Sequence, residues 1–332
     1  MFSTDYYILF DRIKIQGANT ISGPLSYGFP ALTGVLGAIH ALSRKLSYRN
    51  IQLGGVMVAC HNYELQAYKG HKYDDFKFTL NRHPMHKKEG EWKVPPIIEE
   101  GKIHLDLSLI VELHIPDNSF YYALEDKKSQ VCQDFLQECK NQLWTQRIAG
   151  GSVLNIGNVD LFGVDEDRDI PFALMPAFVL MDAKQDLINI TEELQTSLQT
   201  NENGEEITWL RADTGINSPV TELDALLEVA SLHYLSDDSS EIEKYRKIYS
   251  VKQGRGWLVP IPVGYQAISP LLEPGQLKHC RTMQYPSQYV EAIYSLGKWV
   301  FPLDLPENLS KCFWHYTPPE NNFYLISQGE ES

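Results

Sequence analysis

Cysteine is scarce in this 332-residue chain and never closely paired: Cys60, Cys132, Cys139, Cys280 and Cys312 include no CxxC. That argues against a disulfide framework and a zinc ribbon, and for reduced thiols. No apolar run approaches the roughly 18 residues that a membrane-crossing helix needs, so no membrane partner is expected. The start, "MFSTDYYILF", has no basic segment ahead of its short apolar run, which argues against a secretory leader and for a cytoplasmic protein. Phosphate-loop, HExxH and GxSxG motifs are absent, as is a GxGxxG after a strand, which removes the commonest hydrolase and dinucleotide signatures. His83 and His86 in "RHPMH" come nearest to a metal site, but Pro84 intervenes and no matching pair stands at ligand spacing. Neither a metal nor another cofactor is expected.

Positive charge is also in short supply, with a formal net of −14. Taken whole, that disfavours a nucleic-acid partner, but the charge is unevenly spread. Residues 1–150 hold seventeen Lys and Arg against sixteen Asp and Glu, whereas residues 151–332 hold twelve against twenty-seven. Within residues 69–93 there are seven basic residues, four acids and three His. A local basic face on an acidic protein therefore remains open, beside the plainer reading of a solvated loop.

The chain reads from its start as strand (6–15), helix (31–46), strand (51–63), strand (102–115), helix (127–148) and strand (173–181). The fourth of these is the clearest. Ile103, Leu105, Leu107, Leu109, Val111, Leu113 and Ile115 alternate with polar residues, broken only by Ile110, which predicts one buried and one exposed face. That order of elements is ferredoxin-like and α+β, as RNA-recognition modules are. Its second and third strands form a hairpin carrying residues 64–101 as an insertion, long enough to suggest a function of its own. Beyond residue 182, helices are expected at 183–198, 221–232 and 287–300. Acidic loops are expected at 200–206 and 236–244, and an irregular, Pro- and Gly-rich segment at 254–275.

Two connections stand out. "GANTISGPLSYGFP" (17–30) joins the first strand to the first helix with three Gly, two Pro and no charge. Small residues let backbone approach a ligand closely, and Asn19 and Ser22 add polar groups suited to phosphate or sugar. The competing reading is a structural turn closed by its own Ser and Thr. "QRIAGGSVL" (146–154) carries Arg147, Gly150, Gly151 and Ser152. One glycine suits a helix C-cap, while the rest of the set suits a phosphate cradle. His40 and His104 are the acid–base candidates if the protein cuts RNA.

These residues also carry a likeness. "IQGANTISGPLSYGFPALTGVLGAIHAL", "NRHP", "IIEEGKIHLDLSL", "RIAGGSVL" and "GWLVPIPVGYQAISPL" resemble, in order and spacing, the second-subunit family of the Csy surveillance complex of type I-F CRISPR systems, part of the RAMP superfamily. The resemblance implies a modified ferredoxin-like palm over 1–182 with a thumb-like insertion at 64–101, and an extension, 183–332, packed on the palm. It implies a non-catalytic, RNA-binding subunit that holds the 5′ handle of the CRISPR RNA. Such a subunit pairs with the large subunit as a heterodimer and abuts the first copy of the repeated backbone subunit. It meets target DNA through the assembled complex. The positions carried over for RNA are Asn19, Ser22, Tyr27, Arg82, Arg147, Gly150, Gly151 and Ser152. Gly17, Gly23 and Tyr27 depart from the family pattern, although a Tyr still offers a ring to a base. A RAMP endoribonuclease and a purely architectural protein are the alternatives.

Overall fold

The computed structural model describes residues 3–195, 219–236, 246–280, 282–318 and 322–329. Strand β1 (Tyr6–Asn19) leads through the neutral loop to helix α1 (Leu32–Lys45), then to β2 (Gln52–Leu65) and β3 (Lys102–His114). Helices α2 (Asn118–Glu125) and α3 (Gln130–Trp144) follow, each begun by a side-chain cap from Asp117 and Ser129 respectively. Such caps satisfy amides that the first helical turn leaves open. Two five-residue strands come next, β4 (Gly151–Asn155) and β5 (Val159–Gly163), and then β6 (Phe178–Asp182). Helices α4 (Lys184–Gln195) and α5 (Glu222–Ala230) precede strands β7 (Trp257–Ala267), β8 (Val290–Val300), β9 (Trp314–Tyr316) and β10 (Phe323–Gln328).

All these strands join one antiparallel sheet, in the order β4, β1, β3, β2, β6, β8, β7, β10, β9, with β5 also paired to β1. The far edge of β2 is shared. Phe178 and Val179 of β6 pair with Cys60 and Ala59, while Trp314 of β9 pairs with Val56. Strands β2, β6, β8, β7, β10 and β9 therefore close into a ring.

Side-chain alternation decides which face each residue fills. The odd positions of β3 pack with β1, α1 and α3 in the largest core cluster. Ile110, the break in the pattern, belongs to a second cluster on the opposite face with Tyr7, Leu9, Met57, Val179 and Phe313. Ser108 is buried there too, so the face expected to be exposed is covered over part of its length.

Three expectations need correction. The strand beside β1 that follows α3 is not residues 173–181 but β4 and β5; β6 lies on the other side of the sheet, next to β2. Residues 287–300 form strand β8, not a helix, and the irregular segment contains strand β7. The acidic loop at 200–206 and residues 237–244 lie outside the described residues. The β2–β3 hairpin does carry the insertion. It is an antiparallel ribbon whose strand pairs are Ala67–Tyr68 with Lys77–Phe78, Leu80–Arg82 with Ile97–Glu99, and His86–Lys88 with Glu91–Lys93.

One carboxylate ties the ring to the rest. Glu112 Oε2 lies 2.7 Å from His315 Nε2 and accepts the Gly55 N–H at 2.7 Å. Burial alone would lower the His315 pKa, but the hydrogen bond and charge of Glu112 outweigh it and raise it above the ordinary value of 6.5. A raised folded-state pKa adds stability that is complete below the unfolded value and fades as pH rises through the folded one. His315→Gln is therefore expected to cost more at pH 6 than at pH 8.5, up to the roughly 1.5–3 kcal/mol of a charged hydrogen bond. Thermal melts of both proteins at the two pH values check this, and equal losses would refute it.

Candidate nucleic-acid interface

The two glycine-containing connections meet. The backbone N–H of Asn19, at the end of β1, donates to the Ala149 carbonyl at 2.9 Å. Ala149 and Gly150 form a two-residue hairpin turn between residues 147–148 and β4, with φ of +48° and +81°. Both positive values fit a type I′ turn, in which glycine is at ease and alanine is strained by about 1 kcal/mol or more. Helix α3 has already ended at Trp144, so neither glycine is its C-cap. Gly151 matters for close packing instead. A Cβ there would stand 2.6 Å from Ile15 Cγ2 and 2.8 Å from the Ala18 nitrogen. Only a bare α-carbon lets β4 lie that close to β1.

The turn presents Arg147 and Ser152 as exposed cross-strand neighbours. The Arg147 guanidinium makes no ion pair or hydrogen bond among the described residues. On the neutral loop the polar groups are partly committed. Asn19 Nδ2 donates to the Ile21 carbonyl at 2.8 Å, and Ser22 Oγ accepts the Ala31 N–H at 2.9 Å. Ser22 thus closes the loop at the entry to α1, as a structural turn would have it do. Gly17, at φ +69°, gives its N–H to His104 Nδ1 at 3.0 Å and does not present it to an anion. That bond makes His104 Nδ1 an acceptor. His40 is exposed on α1 against the Tyr316 ring.

The ribbon reaches the same loop at its root. The Tyr27 ring packs on Phe78 with centroids 4.7 Å apart, and the Thr20 N–H donates to the Gly101 carbonyl at 3.3 Å. Arg82 sits farther out, four residues or roughly 13 Å of extended chain beyond Phe78. It is exposed, and its guanidinium has no partner among the described residues. The neutral loop therefore touches both the Arg147 hairpin and the root of the Lys-bearing ribbon.

Behind the loop lies a cavity that sequence reasoning missed, of about 530 Å³. Tyr27 and Phe29 from the loop, Tyr63 from β2, Phe178 from β6, Trp257 from β7 and Trp299 from β8 line it. These aromatics are scattered over more than two hundred positions, and only the sheet order brings them together. His61 lies in the same wall, its Nδ1 2.7 Å from the Pro176 carbonyl and its Nε2 2.7 Å from Ser108 Oγ. Ser108 Oγ also donates to Asp11 Oδ1 at 2.7 Å. Although this is a Ser, His and Asp set, the hydroxyl is wholly buried and lies between the other two groups. Such an order braces the strands and offers no nucleophile to a substrate. Burial holds the His61 pKa below its ordinary value.

Elsewhere, Phe172, Pro302, Leu303 and Pro306 line a groove together with Asp167, Arg168 and Glu307. No group of metal-ligating residues occurs among the described residues, nor does any helix there have the length and apolarity to cross a membrane.

Comparison with known proteins gives two concordant results. Residues 8–326 match the family described as CRISPR-associated protein (Cas_Csy2). The chain is also 30% identical, over 339 aligned positions, to the CRISPR-associated protein Csy2 of Pseudomonas aeruginosa strain UCBPP-PA14, covering 96% of this chain and 94% of that protein.

Proposed function

This chain belongs to the Csy2 family of CRISPR-associated proteins, of the type I-F Csy system, and from that premise we propose that it holds the 5′ handle of the CRISPR RNA as a non-catalytic subunit of the surveillance complex. It pairs there with the large subunit, abuts the first copy of the repeated backbone subunit, and meets invading DNA only through the assembled complex, in the cytoplasm. In this reading residues 1–182 are a modified ferredoxin-like RAMP palm, residues 64–101 its thumb, and residues 183–332 an extension packed on the palm. The spatial order β4, β1, β3, β2, with α1 and α3 on one face, supports the palm. The shared edge of β2 supports an extension joined to the palm, within which Ala183, Ile190, Ala225, Val229 and Leu296 form a buried cluster of their own.

The observation that carries the proposal is the neutral loop joined on one side to the Arg147 turn and on the other to the root of the basic ribbon. Short neutral backbone accommodates a bent ribose-phosphate chain, and unpaired guanidinium groups on either side bind its phosphates. Asn19, Arg147, Gly150 and Ser152 line the turn side, and Tyr27 and Arg82 the ribbon side. Ser22 and Gly151 hold the shape. The acidic half of the chain turns to protein, as like charge would oppose RNA. The Phe172 and Leu303 groove, lined by apolar residues with Asp167, Arg168 and Glu307, is a candidate surface for the large subunit.

Arg147→Glu combined with Arg82→Glu is expected to release the handle RNA at salt concentrations where the parent retains it. For single strands, removing one phosphate interaction should change the slope of log K against log salt by about 0.7. Filter binding of the assembled complex across a salt series measures this, and an unchanged slope with full retention would refute the assignment.

A further inference from the structure

The aromatic cavity behind the neutral loop has chemistry of its own, and we propose that it receives one unpaired nucleobase of the guide RNA. This inference rests on the handle-holding reading above and adds a subsite to it. The lining contains no Asp, Glu, Lys or Arg, so it suits a neutral group and leaves phosphates outside. Its volume of about 530 Å³ falls within the roughly 300–1,000 Å³ of small-ligand sites.

The walls are flat. Trp257 stands at 71° to Phe178 with centroids 5.8 Å apart, and Trp299 at 80° to Phe29 at 5.0 Å. Trp257 remains 47% exposed even so, which leaves ring surface for a planar guest. A base also needs hydrogen-bonding groups along its edge, and the cavity has them. Ser26 Oγ, in the lining, is buried with no hydrogen-bond partner. The Asn62 side chain, also in the lining, makes no bond among the described residues. His61 is locked from behind by Pro176 and Ser108, so that wall is rigid.

The lining points to the source of the guest. Leu25, Tyr27 and Gly28 belong to the same loop whose Asn19 bonds to the Arg147 turn, so one short segment carries both the phosphate-binding turn and part of the cavity wall. An apolar side chain from a protein partner would use the flat walls but not the unpartnered hydroxyl and amide. A base uses both.

The test uses the assembled complex, without target DNA, carrying guide RNA in which 2-aminopurine replaces each handle base in turn. One position is expected to be strongly quenched by the tryptophans. Trp257→Ala, at an exposed side chain, is expected to relieve that quenching and weaken RNA retention about tenfold, the size of one base–aromatic stack. If the parent complex retains RNA but no position responds to Trp257→Ala, the cavity assignment is overturned and the handle-holding reading stands. If the parent protein does not retain the RNA, the handle-holding reading itself fails. Quenching that arises only on adding DNA overturns RNA as the source. Loss of the large subunit from Trp257→Ala, with every fluorescence signal unchanged, identifies a protein side chain as occupant and also overturns the proposal.

Discussion

Replacing Gly151 with leucine is expected to detach the Arg147 hairpin from β1 and, with it, to abolish RNA retention. The steric case is direct. The first side-chain carbon would already lie 2.6 Å from Ile15 Cγ2, 2.8 Å from the Ala18 nitrogen and 3.0 Å from Ala18 Cα. Two of those three atoms are main chain in a paired strand and cannot turn aside. Even Gly151→Ala should cost more than the roughly 1–3 kcal/mol of ordinary overpacking, and leucine considerably more. Gly150 provides the contrast. Its positive φ makes alanine costly by roughly 1–2 kcal/mol, but the nearest atom to its Cβ is 3.9 Å away. Urea denaturation should therefore rank the parent above Gly150→Ala, and Gly150→Ala above Gly151→Ala, while salt-dependent binding follows the loss of the Asn19–Ala149 bond. Equal stability of the two alanine variants would mean that β4 does not lie so close to β1.

The second large effect is expected at Trp314. It is wholly buried and donates its indole N–H to the Leu180 carbonyl at 2.9 Å. It also makes the pairing of β9 with Val56 on the shared edge of β2. Truncating a buried Trp to Ala costs roughly 3–5 kcal/mol, a large part of the roughly 5–15 kcal/mol that holds most domains together. Trp314→Phe keeps most of the volume and loses mainly the hydrogen bond, so it should cost about 1–3 kcal/mol. Because one strand edge serves both halves of the chain, circular dichroism and fluorescence should report a single coincident transition in parent and variants. Two separated transitions would show that the ring melts apart from the rest of the sheet.

Much of the first half was legible because its elements are long and periodic. β3 reveals itself through seven apolar residues at odd positions, and α1 and α3 through helical spacing. β4 and β5 were not legible: with five residues each, between a Gly-Gly pair and an acidic stretch, they have too little length for a period to emerge. β8 misled. Val290, Ile293, Leu296 and Val300 fall at helical spacing, yet the strand has partners along both edges and its burial does not alternate. β7 was hidden by Pro260 and Pro262, which usually argue against a strand. Both fall where β7 pairs only with β8, since β10 reaches no farther than Gly264, so their missing N–H groups break no ladder.

For the interface, composition marked the neutral loop and the Gly-Gly turn, and the structure joins them. Sequence could not foresee that Ser22 is occupied at the α1 entry or that Gly17 bonds to His104, since both bonds depend on the folded loop. The aromatic cavity left no local trace, as its aromatic residues come from one loop and four separate strands.

The shared edge of β2 also bears on how the protein is made. Residues 52–65 leave the ribosome long before Trp314, some 250 positions later, or about 12–50 s at ordinary elongation rates. Throughout that interval the nascent chain carries a strand whose Val56 edge awaits a partner not yet synthesised. An open apolar edge of that kind is a template for unwanted pairing, so for this chain the hazard of misassembly is concentrated in the time before translation reaches β9.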